Sequence, residues 1–126
     1  MSNLPDLSRF ELQCLRLVWE QGEASARQVH RGLADPPSYS TVRTILARLE
    51  DKGAVERSGV DGNAVTYRSL VDLAAVRRRE LGRFIDTLFG GRADGLVATL
   101  ADMDALSVDD LRELERHLGE PEEGSP

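Results

Sequence analysis

The residues best equipped for chemistry fall in one stretch, Ser38-Tyr39-Ser40-Thr41-Val42-Arg43-Thr44-Ile45-Leu46-Ala47-Arg48-Leu49-Glu50-Asp51-Lys52-Gly53. At 100° per residue, Val42, Ile45, Leu46 and Leu49 gather on one side of a helix. Ser40, Thr44, Ala47 and Asp51 then centre the opposite side, flanked by Arg43 and Arg48. Guanidinium forks match guanine edges and phosphate oxygens, and threonine offers a hydroxyl to phosphate and a methyl to thymine, which brings in Thr41 and Thr44. Ser40 and Ala47 are short enough to admit a close approach. Ser38 can cap the first turn, which aims unpaired amides at an incoming phosphate. These are the means of holding a polyanion, not of making or breaking bonds.

Nothing else in the sequence suggests catalysis. Cys14 is the single cysteine, with neither histidine near it in sequence, and reads as a small buried or boundary hydrophobe. With only His30 and His117 besides, a structural zinc site is not expected, and His30 is expected at the surface or a groove edge. There is no His-Glu-x-x-His pair and no glycine-rich phosphate loop. Asp109, Asp110, Glu113 and Glu115 sit in or near the first turns of a helix, where they oppose its dipole. The expectation is no enzyme, no catalytic residue, no metal and no cofactor.

The elements around the central segment follow from caps and periods. Ser8 with Glu11 makes a capping box for a helix whose apolar stripe is Leu12, Leu15, Val18 and Trp19 and whose stop is Gly22. Glu11, Arg16 and Glu20 count as its polar positions. Ser25 with Gln28 opens a second helix bearing Ala26, Val29 and Leu33, which Asp35-Pro36-Pro37 ends. After the third helix the period changes to two. Val55-Glu56-Arg57-Ser58 and Val65-Thr66-Tyr67-Arg68 flank an Asp61-Gly62 turn, with Val55, Val65 and Tyr67 inward and Glu56, Thr66 and Arg68 outward. Three short helices and a two-stranded ribbon make a winged helix-turn-helix. Its third helix enters a major groove, and Arg57 and Arg68 reach toward the flanking phosphates.

From Asp72 the pattern stays helical. Leu73, Val76, Leu81, Phe84, Ile85 and Leu88 stripe one helix ended by Gly90-Gly91, and the intervening Arg77-Arg78-Arg79 reads as a solvated face. Leu96, Val97, Leu100 and Met103 mark another helix. Ser107 with Asp110 caps a last one bearing Leu111, Leu114 and Leu118. So many apolar residues in an appendage this small need a second copy to bury them, so the dimerisation set is Val76, Leu81, Phe84, Ile85, Leu88, Leu96, Val97, Leu100, Leu111, Leu114 and Leu118. The expected fold class is mainly α with a small β-hairpin: a winged-helix domain over residues 1–71, a helical dimerisation domain over 72–119 and a flexible acidic tail over 120–126.

Charge fits that division. The net charge of -6 argues against gripping a polyanion, but residues 1–71 hold nine cationic and nine anionic side chains, whereas residues 72–126 hold seven and thirteen. The acid lies away from the reading module, and phosphate attraction depends on nearby charge. Two modules about 34 Å apart would read inverted half-sites on one duplex face. No run approaches the roughly 20 apolar residues needed to span a bilayer, and residues 1–20 lack an export signal, so a cytoplasmic protein with no direct membrane insertion is expected. The competing interpretation is a winged-helix protein-interaction module without sequence-specific DNA binding.

The central segment, continued by Lys52-Gly53-Ala54-Val55, resembles the recognition helix and first wing strand of the penicillinase-repressor family, the BlaI, MecI and CopY type of bacterial winged-helix repressors. Tyr67 and Leu70-Val71 resemble its second wing strand, and Leu15, Val18, Trp19 and Gly22 its first helix. Phe84 to Gly91, Leu96-Val97, Leu106-Ser107 and Leu111 to Leu114 resemble its dimerisation domain, so the likeness covers about residues 7 to 118. It implies a homodimeric repressor on double-stranded dyad operator DNA, with Thr41, Arg43 and Thr44 in the segment that enters the major groove. It also implies a membrane-linked regulatory protease as partner. The beta-lactam-responsive branch is cut at an Asn-Phe bond, where this chain has Thr99-Leu100, and the cysteine-rich metal motif of the copper branch is missing.

Overall fold

A computed structural model describes residues 4–119 of the chain, with the side chains of 118 and 119 left out. The side chain of Leu118, in the expected dimer set, and the expected tail 120–126 therefore lie outside what is described. The elements are α1 (Arg9–Gln21), β1 (Ala24–Ser25), α2 (Ala26–Gly32), α3 (Tyr39–Asp51), β2 (Val55–Asp61), β3 (Ala64–Ser69), α4 (Leu73–Phe89), α5 (Ala93–Asp102) and α6 (Val108–Gly119). The fold is mainly helical with a small antiparallel sheet as its wing. Contacts divide it into two units, Met1–Arg79 and Glu80–Pro126.

Capping sets the starts of the helices. Ser8 Oγ accepts from the Glu11 amide at 3.2 Å while the Ser8 amide donates to Glu11 Oε1 at 2.8 Å, and Ser25 with Gln28 repeats both distances. Ser107 and Asp110 close a third such box, at 2.9 and 3.0 Å. Each satisfies two amides that a helix start leaves open, and losing such a cap costs about 1 kcal/mol. Asp72 Oδ1 accepts from the Ala74 amide at 3.1 Å, at the start of α4. The second helix stops at Gly32, with Leu33 as its C-cap, before the prolines are reached.

The core of the first unit is aliphatic. Leu15 and Val18 of α1, Val29 of α2, Val42, Leu46 and Leu49 of α3, and Val55 of β2 are fully buried. Trp19, expected in the α1 stripe, is 41% exposed, and Leu17 is buried in its place. Leu17 packs on Gly32, where an added Cβ would come within 2.9 Å of Leu17 Cδ2. Glu11, one of the polar positions of this helix, is 3% exposed.

The sheet has three strands in the order β1-β3-β2, one more than the hairpin. Ala24 pairs with Tyr67 and Ser25 with Thr66, which explains why Thr66, expected outward, is buried: a strand lies on either side of it. A register shift between Arg57 and Gly59 leaves Ser58 as a bulge, its Oγ 3.1 Å from Thr66 Oγ1. Asp61 pairs with Ala64, so the tight turn is Gly62-Asn63, one residue beyond the Asp61-Gly62 pair. Gly62 has φ +66° and Asn63 does not share the positive φ, the pattern of a glycine-first hairpin turn.

The early part of α4 belongs to this core. Leu73 and Val76 are 3% and 2% exposed, so Val76 is not part of an apolar face open to a second copy. The arginine triplet is also more engaged than a solvated face requires: Arg77 pairs with Glu20 at 3.8 Å, and Arg79 donates to the carbonyls of Leu4 and Pro5 at 2.9 and 2.7 Å. The second unit is different in kind. From Glu80 to His117 no residue is buried, and Leu81, Phe84, Leu88, Val97, Leu111 and Leu114 are each more than a third exposed. Ile85, Leu96 and Leu100 are half-buried.

Candidate nucleic-acid interface

The outer side of α3 is built from the inside. Val42, Ile45, Leu46 and Leu49 are buried, and helical geometry then leaves Ser40, Thr41, Arg43, Thr44, Ala47 and Arg48 exposed. Ser38 Oγ accepts from the Thr41 amide at 3.2 Å and lies 2.9 Å from Thr41 Oγ1 and 3.2 Å from Ser40 Oγ. Three hydroxyls thus surround the first turn. Thr44 Oγ1 donates to the Ser40 carbonyl at 3.0 Å, so its proton is committed and its methyl and remaining lone pairs face out.

The arginines differ in what holds them. Among the described residues Arg43 and Arg48 have no acidic partner, whereas Arg57 Nε lies 3.3 Å from Glu50 Oε2 and Arg68 pairs with Glu56, its cross-strand neighbour. Ser40, Arg43, Thr44, Ala47, Arg57 and Tyr67 line one shallow groove between α3 and the sheet. Arg48 and Arg68 lie outside that lining.

The two ends of α3 are fixed by residues that the periodicity of α3 does not reveal. At the start, Tyr39 meets the His30 ring edge-on at 6.1 Å, and the Arg27 guanidinium lies over the Tyr39 ring, 5.2 Å from its centroid. His30 Nε2 donates to the Pro37 carbonyl at 2.9 Å, so this histidine anchors the α2–α3 connection. Sequence offered one signal: the Ser25 cap sets the phase of α2 and with it the position of Arg27. At the far end, Lys52 Nζ donates to Glu11 Oε1 at 2.7 Å and to the Asp6 carbonyl at 2.9 Å. Gly53 then turns the chain into β2 at φ +77°, a conformation costly for other residues.

Burial pushes the Glu11 carboxyl up, but the Lys52 hydrogen bond and charge, with the Ser8 bonds, outweigh it and hold the group below the usual range. The opposite holds at Cys14, where burial and then the Glu11 charge push the thiol up to about 11. A buried thiol held in its protonated form is a poor nucleophile at neutral pH. No buried side-chain polar atom among the described residues lacks a partner. The chemistry this surface offers is therefore unpaired cationic forks and hydroxyls on a rigid helix beside a groove.

The family model described as penicillinase repressor matches residues 7–120. The methicillin resistance regulatory protein MecI of Staphylococcus aureus (strain N315) is 27% identical over 115 residues, covering 90% of this chain and 93% of MecI. The penicillinase repressor of Bacillus licheniformis is 25% identical over 122 residues, covering 95% and 94% of the two chains. Among solved structures, a mutant of MarR from E. coli matches with a TM-score of 0.54 at 18% identity, over 90% of this chain and 76% of MarR, a likeness of fold. With a matched span that takes in both units and the exposed side of α3, the chain belongs to the penicillinase repressor family of regulatory DNA-binding proteins, which are not enzymes.

Proposed function

We propose that this chain is a homodimeric transcriptional repressor that presents two copies of α3 to successive major grooves of a dyad operator in the cytoplasm. The observation that carries the reading is a pair of arginines, Arg43 and Arg48, without an acidic partner among the described residues, on an exposed helix side whose back is locked into the core. In this reading Ser38, Ser40, Thr41 and Thr44 add hydroxyl and amide contacts. Arg57 and Arg68 reach phosphate by exchanging Glu50 and Glu56 for it. Repression, rather than activation, is supported by the description of the family and by the name of the Bacillus licheniformis relative.

Pairing is supported by the second unit. From Glu80 to His117 no residue is buried, and the exposed leucines, valines and Phe84 of that span have between about a third and two-thirds of their burial still to gain. A second copy supplies the missing half. Release by a membrane-linked regulatory protease is the derepression route that family membership supports. The Thr99-Leu100 pair lies inside α5, with Thr99 Oγ1 donating to the Gly95 carbonyl at 3.0 Å, so that turn must unwind to be cut there. Intact-mass measurement on protein from derepressed cells tests this route, and an uncut chain released from DNA overturns it.

The central test is selection of bound fragments from the source genome, followed by titration at several salt concentrations. Dyad fragments and an affinity that falls steeply with salt are expected. Absence of salt-sensitive binding to any duplex would favour the protein-interaction module.

A further inference from the structure

The Arg27–Tyr39 stack is left over once the outer side of α3 has been assigned. We infer that Arg27 is a DNA-backbone contact, a guanidinium from α2 that Tyr39 holds over the first turn of α3 so that its fork takes a phosphodiester oxygen flanking the bases α3 reads. This rests on α3 being the DNA-contacting helix, and adds a residue from outside that helix.

Three observations carry it. The guanidinium lies 5.2 Å from the Tyr39 ring centroid, and Arg27 has no ion pair among the described residues. This cation–π contact uses none of the five N–H donors of the guanidinium, and no hydrogen bond among the described residues takes one, so they are free for an anion. Second, the platform is built. Tyr39 is the first residue of α3, His30 abuts its ring at 6.1 Å, and His30 is itself tied to the Pro37 carbonyl at 2.9 Å. Arg27 is therefore preorganised, and less rotamer entropy is lost when it meets a ligand. Third, the position is continuous with the proposed interface. Ala26, Tyr39, Arg43 and Arg57 line one depression, and the Ser38-Ser40-Thr41 hydroxyl cluster shares the first turn of α3 with Tyr39. A cation there adds to the open amides of a thirteen-residue helix, and both favour phosphate.

The contact should strengthen binding without choosing sequence. The full chain is titrated against a selected operator duplex and an unrelated duplex of equal length, at several salt concentrations, as wild type, Arg27→Gln, Tyr39→Phe, Tyr39→Leu and the Arg27→Gln/Tyr39→Leu double variant. Arg43→Ala is the control, and the unfolding midpoint of each protein is measured. Arg27→Gln should weaken both duplexes alike, by about tenfold per module. The slope of log affinity against log salt should fall by about 0.9 per module. Tyr39→Phe should match wild type. Tyr39→Leu should weaken binding by roughly two- to fivefold, and add nothing in the Arg27→Gln background.

Unchanged affinity and slope for Arg27→Gln, with Arg43→Ala impaired, would overturn the inference and leave the DNA-binding reading standing. Failure of the wild type to bind any duplex would remove that reading itself. A loss confined to the operator would make Arg27 a base reader and overturn the phosphate assignment. A loss that tracks a lowered unfolding midpoint would reduce the stack to a structural brace. Further weakening by Tyr39→Leu in the Arg27→Gln background would overturn the positioning role of Tyr39.

Discussion

Leu88→Ala isolates pairing of subunits from folding and from DNA contact. Leu88 lies near the end of α4 and is 64% exposed, so about two-thirds of a leucine's roughly 1.5–3 kcal/mol of burial remains available to a partner. That is about 1–2 kcal/mol per copy, and a two-fold interface loses it twice, or about 2–4 kcal/mol. The dimer dissociation constant should rise by roughly 30- to 1,000-fold. Alanine keeps the helix propensity, and the limited existing burial of Leu88 keeps damage within one subunit small. Sedimentation equilibrium over a range of concentrations gives the constant directly. A parallel titration should show affinity for a dyad operator falling while affinity for a single half-site stays at the wild-type value. An unchanged dimer constant would refute the placement of Leu88 in the interface, and an equal loss on the half-site would refute the separation of pairing from reading.

Arg43→Ala or Arg48→Ala should weaken operator binding by about 1–3 kcal/mol where the arginine makes a bidentate base contact. The unfolding midpoint should not move, since each is exposed and without an acidic partner among the described residues; calorimetry beside the DNA titration checks both halves. The Glu11 carboxyl is held low in the folded protein, so its stabilisation is full above the unfolded value of about 4.3 and is lost as pH falls through the folded value. Glu11→Gln should therefore flatten the acid limb of a urea-midpoint profile. Lys52→Met should cost about 1–2 kcal/mol at pH 7, below the usual loss for a fully buried pair because the Lys52 side chain is 38% exposed. Cys14, with its thiol pushed up to about 11, should react with a disulfide reagent at pH 7 only at the rate of unfolding. Rapid stoichiometric labelling of folded protein would contradict its burial.

What could be read from sequence was what depends on near neighbours. The Ser8/Glu11, Ser25/Gln28 and Ser107/Asp110 caps each span three residues, and the division of α3 into buried and exposed sides follows from its own period. What escaped depends on partners far along the chain. Glu11 looks like any polar helix residue until Lys52, 41 positions later, neutralises it in the core. Thr66 alternates outward in a two-stranded ribbon, and it is covered rather than exposed because β1, two residues long and without a period of its own, lies beside it against β3. Val76 and Leu81 share an apolar pattern, yet one is buried in the first unit and the other is 49% exposed, because periodicity marks a face without saying what covers it. Arg27 and Tyr39 meet between two helices, so neither helix alone gives their contact away.

Ser25 occupies two elements at once. It pairs with Thr66 at the edge of the sheet, and its hydroxyl and amide close the cap from which α2 starts. Displacing the ribbon's base therefore pulls on the origin of the helix that carries Arg27 and His30, and through their contacts with Tyr39 on the entry to α3.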